Sequence, residues 1–191
     1  MIVADMSMSL DGFVAGPNVS IYNGLGDGGE SLHEWIFEGK SDAEVADFMN
    51  DRFANVGAVL MGRRMLDVGI GPWGDEPVFH APVFVVTHRA TDPIEKSGGT
   101  TYNFVTDGPD AALALAREAA GDRDIYVAGG PAVIRRYLRS GAIDELALHI
   151  VPLLLGAGTP MFDGSESVDL EPSSGHVDED GVAHLRCRVK K

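Results

Sequence analysis

The chain has 191 residues, 45% of them hydrophobic, enough for one domain with a sizeable core, and its formal net charge is -14. That acidic balance, with an isoelectric point of about 4.6, excludes a nucleic-acid or anionic-membrane partner, because counterion release needs a basic face. Anionic ligands must be met locally, by helix ends and a few arginines.

Residues 2–9 alternate, with Ile2, Ala4, Met6 and Met8 on one side and Val3, Asp5, Ser7 and Ser9 on the other, which predicts a strand. It runs into Leu10, Asp11 and Gly12, so Asp11 stands at or just past a strand end, where open α/β sheets place ligand chemistry. An aspartate beside glycine also suits a turn cap, and both readings stand. Residues 16–40 are rich in glycine, with His33, Trp35 and Phe37 set among them. A loop of that length is a lid, a binding loop or disordered. Ser41, Asp42, Ala43 and Glu44 form a capping box. The helix it opens carries an apolar stripe of Val45, Phe48, Met49 and Phe53 and turns Glu44, Asp47 and Asp51 the other way.

Residues 56–61 form a second apolar strand that passes through Gly62 into Arg63, Arg64 and Met65. Two guanidiniums at a helix start are either a solvated pair or the partners of an anion, and their opposition to the helix dipole tilts the reading slightly toward the anion. After a loop at Pro72, Trp73 and Gly74, residues 81–87 make a third buried strand ending in Thr87, His88 and Arg89. Residues 101–105 are a weaker strand, and Asp107, Gly108 and Pro109 open an alanine-rich helix that stops near Gly121.

Residues 124–138 then read as strand, glycine pair and helix. Ile125, Tyr126, Val127 and Ala128 are an apolar run, Gly129 and Gly130 allow a sharp turn, and Pro131 suits a first helical position. Val133, Ile134, Tyr137 and Leu138 form the apolar stripe of that helix. Such a turn is either ordinary punctuation or a phosphate site built from unpaired N–H groups and the helix dipole.

Residues 145–155 form a long strand interrupted at Pro152, which implies an edge or a bulge. Residues 168–177 and 182–189 pair as a terminal hairpin, in which Cys187 shares the apolar face with Ala183, Leu185 and Val189 as a core thiol. As Cys187 is the only cysteine, no internal disulfide forms and a reducing compartment is permitted. No basic leader or membrane-length apolar run is evident, so the expectation is a cytoplasmic protein. The six histidines show no metal-ligand spacing, His149 sits between Leu148 and Ile150 as a structural residue, and neither GxSxG nor HExxH is present. Strands alternating with helices and closed by a hairpin predict a single α/β domain over residues 1–191, with a mainly parallel sheet, flanking helices and antiparallel closing strands.

In a parallel sheet the endings at residues 62–64, 87–89 and 129–132 share one edge and line one groove suited to a dinucleotide phosphate. VLMGRRM at residues 59–65, VVTHR at 85–89 and VAGGPAVI at 127–134, in this order, resemble the dihydrofolate reductase superfamily. SLDGFVAGPN at 9–18 and LGAGTPMF at 155–162 are more similar to its bacterial branch related to the riboflavin-biosynthesis pyrimidine reductase domain.

The resemblance implies NADP as cofactor and hydride transfer to a small-molecule substrate, a pterin or a ribosylaminopyrimidine. It places Gly62, Arg63 and Arg64 near the cofactor phosphates, Thr87, His88 and Arg89 at the adenosine end, and Ala128, Gly129, Gly130, Pro131, Ala132 and Val133 at the pyrophosphate. Val14, Ala15 and Gly16 would flank the nicotinamide, and Asp11 would face the substrate. Dihydrofolate reductases carry a cleft-facing acid on the helix before MGR; the nearest residue here, Asp47, turns away from the apolar face, which speaks against folate reduction. The alternative is a nucleotide-binding module without turnover on the same fold. The apolar strand at 146–155 suits a homodimer contact, as in riboflavin-type relatives, and equally an internal strand.

Overall fold

The computed structural model describes residues 1–38, 40, 49, 52–164 and 167–191. The capping box at 41–44, Val45, Asp47, Phe48 and Asp51 lie outside the described residues.

Among the described residues, eleven strands form two sheets. They are β1 (Ile2–Ser9), β2 (Phe13–Ala15), β3 (Val56–Gly62), β4 (Pro82–Val86), β5 (Ile94–Glu95), β6 (Thr101–Val105), β7 (Asp124–Gly129), β8 (Glu145–Val151), β9 (Thr159–Pro160), β10 (Leu170–Val177) and β11 (Ala183–Val189). The large sheet has the order β10-β11-β8-β1-β7-β3-β4-β6-β5, and β2 pairs with β9 separately. From β8 to β6 all neighbours are parallel, while β10, β11 and β5 close the edges antiparallel. The expected fold class is therefore the observed one.

The helices are α1 (Glu34–Phe37), α2 (Arg63–Gly69), α3 (Pro109–Ala120) and α4 (Pro131–Arg139). Burial on both sheet faces explains why the central strands are continuous apolar runs. Ile2, Ala4, Leu60, Val127 and Leu146 pack beneath α3 and α4 through Ala112, Ala116, Ile134 and Tyr137. The opposite face buries Val59, Met61, Val83, Val85 and Tyr102 against Phe53, Leu66 and Phe79. A third cluster joins Leu32, Trp35 and Ile36 to Val151 and Val182.

Residues 16–38 are an ordered structure, with a short 3-10 turn at Gly29–Leu32 followed by α1. Asp27 ties its base together by accepting from the side-chain amides of Asn18 at 2.6 Å and Asn23 at 2.9 Å. The strand expected to run through Pro152 ends at Val151. It lies inside the sheet, with β1 on one side and β11 on the other, so it offers no free edge for a partner chain. The outer edge is β10, all of whose residues are exposed.

Candidate functional site

Three adjacent strands bring the expected groove residues to one level. Gly62 pairs with Val86, the residue before Thr87, and Met61 pairs with Gly129. Gly129 has φ +109, a conformation open to glycine alone. A Cβ on Gly62 would lie 3.1 Å from Val133 and 3.8 Å from the Gly130 nitrogen, so strand and helix start meet closely. A Cβ on Gly130 would meet nothing within 4 Å, which leaves open space above the glycine pair. Helix α4 begins with Pro131 at its first position and has no side-chain cap; Val133 and Ile134 donate to the Gly130 carbonyl at 3.0 and 3.3 Å, so the Ala132 N–H and the positive dipole end face that space.

The basic residues around it differ in commitment. Arg63 lies over the Phe104 ring at 5.3 Å and is ion-paired to Asp67 at 2.7 Å, one turn along α2. Arg64 is exposed and reaches the Val19 carbonyl at 3.4 Å. Thr87 is buried, and its hydroxyl accepts from the backbone N–H of Arg89 at 3.1 Å, while His88 and Arg89 are exposed. Arg89 has no carboxylate partner among the described residues.

Val14 and Ala15 are buried in the small sheet, and Gly16 donates to the Leu25 carbonyl at 2.8 Å. Asp11 sits on the turn between β1 and β2. Its carboxylate accepts from the Ser9 hydroxyl at 2.5 Å, the Leu155 N–H at 3.1 Å and the Gly156 N–H at 2.7 Å. The Ser9 hydrogen bond foremost, and then the two backbone donors, hold its pKa below the usual carboxylate value.

The sheet also assembles a polar cluster that sequence reasoning missed. Asp5 and Ser7 point from β1 to the face opposite α3 and α4, and both are buried. Asp5 is ion-paired to Arg52, which donates to the Tyr126 hydroxyl at 3.3 Å. On its other side Asp5 bonds His149 Nε2 at 3.0 Å. His149 Nδ1 lies 2.6 Å from His184 Nδ1, and His184 Nε2 lies 2.8 Å from Asp178. The Trp35 ring covers both imidazoles at 4.6 and 4.9 Å and donates its N–H to Ser7 Oγ at 3.3 Å. His33 is half-buried near Arg52 and His149, and burial foremost pushes its pKa down to about 4. The only early signal was the placement of Asp5 and Ser7 on the polar side of β1.

A family model described as the RibD C-terminal domain matches residues 1–184. The uncharacterized protein YwjB of Bacillus subtilis is 26% identical over 164 residues, covering 82% of this chain and 79% of that protein. Among solved structures, a putative riboflavin biosynthesis protein from Shewanella sp. PV-4 has a TM-score of 0.73 at 23% identity and covers 100% of this chain and 99% of its own. Dihydrofolate reductase from Enterococcus faecalis, solved with NADP(H), has a TM-score of 0.62 at 14% identity, covering 100% and 97% of the two chains. These likenesses establish a dihydrofolate reductase-like fold. Among the described residues no helix is long and apolar enough to cross a membrane, and no group of three metal-ligating side chains is found.

Proposed function

The chain belongs to the RibD C-terminal domain family, and on that premise we propose that it is an NADP(H)-dependent reductase of a small heterocyclic or ribosylamino substrate of the pyrimidine or pterin type. The observation that carries this reading is the open space above Gly130 at the uncapped start of α4, flanked on the next two strands by Gly62 and Thr87. Small residues, the Ala132 N–H and the positive helix end suit a pyrophosphate, so these residues fit the cofactor.

Ala128, Gly129, Gly130, Pro131, Ala132 and Val133 hold the pyrophosphate, and Gly62, Arg63 and Arg64 flank it. Thr87 and His88 border the adenosine end. Arg89, exposed and without a carboxylate partner among the described residues, meets the 2′-phosphate as a planar donor and favours NADP over NAD. Val14, Ala15 and Gly16 lie along the nicotinamide. Once bound, the dinucleotide supplies the hydride; positioning is the protein's part. Asp11 serves the substrate side by holding the turn at Leu155 and Gly156 in place, through the hydrogen bonds described above.

NADPH oxidation, followed with a ribosylaminopyrimidine and with a dihydropterin, tests the reading. Substrate-dependent oxidation of NADPH is expected with one of the two classes. Tight NADPH binding with no oxidation in the presence of either contradicts a reductase and leaves a nucleotide-binding module.

A further inference from the structure

The chain Asp5, His149, His184, Asp178 has one hydrogen bond more than two neutral histidines can supply with protons. Its links are Asp5 to His149 at 3.0 Å, His149 to His184 at 2.6 Å, and His184 to Asp178 at 2.8 Å. Each hydrogen bond needs one proton, so the three need three, and two neutral imidazoles carry only two. If each Nε2 donates to its carboxylate, both Nδ1 atoms are bare and would oppose their lone pairs at the central contact. A third proton between the two Nδ1 atoms resolves this.

The Asp5 side chain is 3% exposed, so an unsatisfied polar contact in the chain is costly. Among the described residues, the other ionisable groups packed around the chain do not supply the proton. His33 is neutral, with its pKa pushed down to about 4, and Tyr126 stays a phenol, pushed up to about 12, in both cases by burial foremost. Glu145 and Arg186 satisfy one another at 2.6 Å, and His176 stacks on His184 at 4.7 Å from the exposed strand β10. For Asp178 burial works to raise the pKa, but the hydrogen bond from His184 and the N–H groups of Val182 and Asp180 bring it below the usual value, consistent with a carboxylate acceptor.

The chain also has a direction. The Asp178 side chain is 23% exposed, at the turn between β10 and β11, so water reaches it. From there the links cross β11 and β8 to Asp5 on β1, beside β7, where Ala4 pairs with Val127 two residues before Gly129. One end meets solvent and the other lies next to the strand that carries the glycine pair.

We propose that the His149–His184 pair stores one shared proton, and that the chain from Asp178 to Asp5 supplies it to the substrate side of the dinucleotide groove. The supply role rests on the reductase reading. Reduction of a carbon–heteroatom double bond takes a hydride, with its electron pair, from the reduced dinucleotide onto carbon. The π pair moves to the heteroatom, which takes the proton. The dinucleotide leaves oxidised, the substrate reduced, and the chain regains its proton from water at Asp178. Asp178, His184 and His149 are positioning residues in this scheme.

Asp178→Asn is the discriminating variant. Its amide oxygen still accepts from the Val182 and Asp180 N–H groups, as the carboxylate does at 2.8 and 3.1 Å. Its amide N–H donates to His184 Nε2, so three hydrogen bonds form with both imidazoles neutral and the third proton is no longer needed. In 15N-histidine NMR near neutral pH, wild type should show three protons on the four ring nitrogens of the pair, one on each Nε2 and one shared by the two Nδ1 atoms, and D178N should show two, leaving His184 Nε2 and His149 Nδ1 bare. Two bare nitrogens in wild type overturn the stored proton. In NADPH oxidation, D178N should lower kcat on the order of ten- to a hundredfold, increasingly so as pH rises, with NADPH affinity unchanged. Wild-type kcat in D178N across that range overturns the supply role and leaves the reductase reading intact. Absence of turnover in wild type overturns the reductase reading and the supply role together, while the NMR count still decides the stored proton.

Discussion

A Cβ added at Gly129 would stand 2.8 Å from Cε of Met6, because the glycine pair at the end of β7 packs directly against the neighbouring strand β1. The two glycines are therefore needed for different reasons. Gly129 is required by the fold through its φ of +109, since the Met6 methyl ends a flexible side chain that can give way, whereas Gly130 faces open space. Gly129→Ala should lower stability by about 1–3 kcal/mol in urea unfolding. Gly130→Ala should unfold close to wild type yet bind NADPH more weakly, because its methyl occupies the pyrophosphate's place. Unchanged NADPH affinity in G130A contradicts the cradle.

Arg89→Ala should weaken NADPH binding by about tenfold or more and leave NADH binding nearly unchanged, since only the 2′-phosphate loses its charge-assisted partner. Arg63→Ala should act less selectively, its guanidinium being shared with Asp67 at 2.7 Å. Fluorescence titration with both cofactors checks this, and equal losses for NADPH and NADH in R89A refute the assignment.

Asp11 gives an acid-dependent contribution whose sign follows from its lowered pKa. A carboxylate whose folded pKa lies below the unfolded value of 3.8 stabilises fully above that value and loses the stabilisation as pH falls through the folded one. Asp11→Asn keeps one acceptor but turns an N–H toward Leu155 or Gly156. The stability difference between wild type and D11N should be constant near neutrality and shrink from about pH 5 downward. Urea midpoints over that range read it directly; a gap that widens on acidification contradicts the account.

Trp35 joins the loop at residues 16–38 to the sheet through Val151 and Val182 and roofs the histidine pair. Trp35→Ala should cost about 3–5 kcal/mol, measured by urea unfolding. Trp35→Phe retains the aromatic contact and loses the N–H donated to the Leu32 carbonyl at 3.1 Å and Ser7 Oγ at 3.3 Å, a smaller penalty of about 1 kcal/mol.

The groove was legible in the chain because its signal is local. Apolar runs ending in Gly62, Thr87 and Gly129 announce buried strands whose ends must share an edge, and the sheet order puts them side by side. Cys187 falls in the core as alternation on β11 implied. The histidine chain was not legible, since its parts come from β1, β8, β11 and the turn at Asp178, and only the order β11-β8-β1 brings them together. His149 between Leu148 and Ile150 looked like an ordinary strand residue, and its partner His184 is 35 positions away. Pro152 was misread for a related reason. It ends β8 after Val151 rather than marking an edge, because β8 is flanked on both sides. Asp11 suited either a ligand contact or a turn cap; the turn contacts are present, and its service to substrate is the proposal above.

The most direct test of the central claim is an NADPH titration of the 15N-labelled protein followed by amide NMR. The account predicts saturable binding, with the largest shifts at Gly62, Thr87, Arg89, Gly130 and Ala132, all on the C-terminal edge of the parallel strands. No binding, or shifts centred on the opposite edge of the sheet, would contradict it.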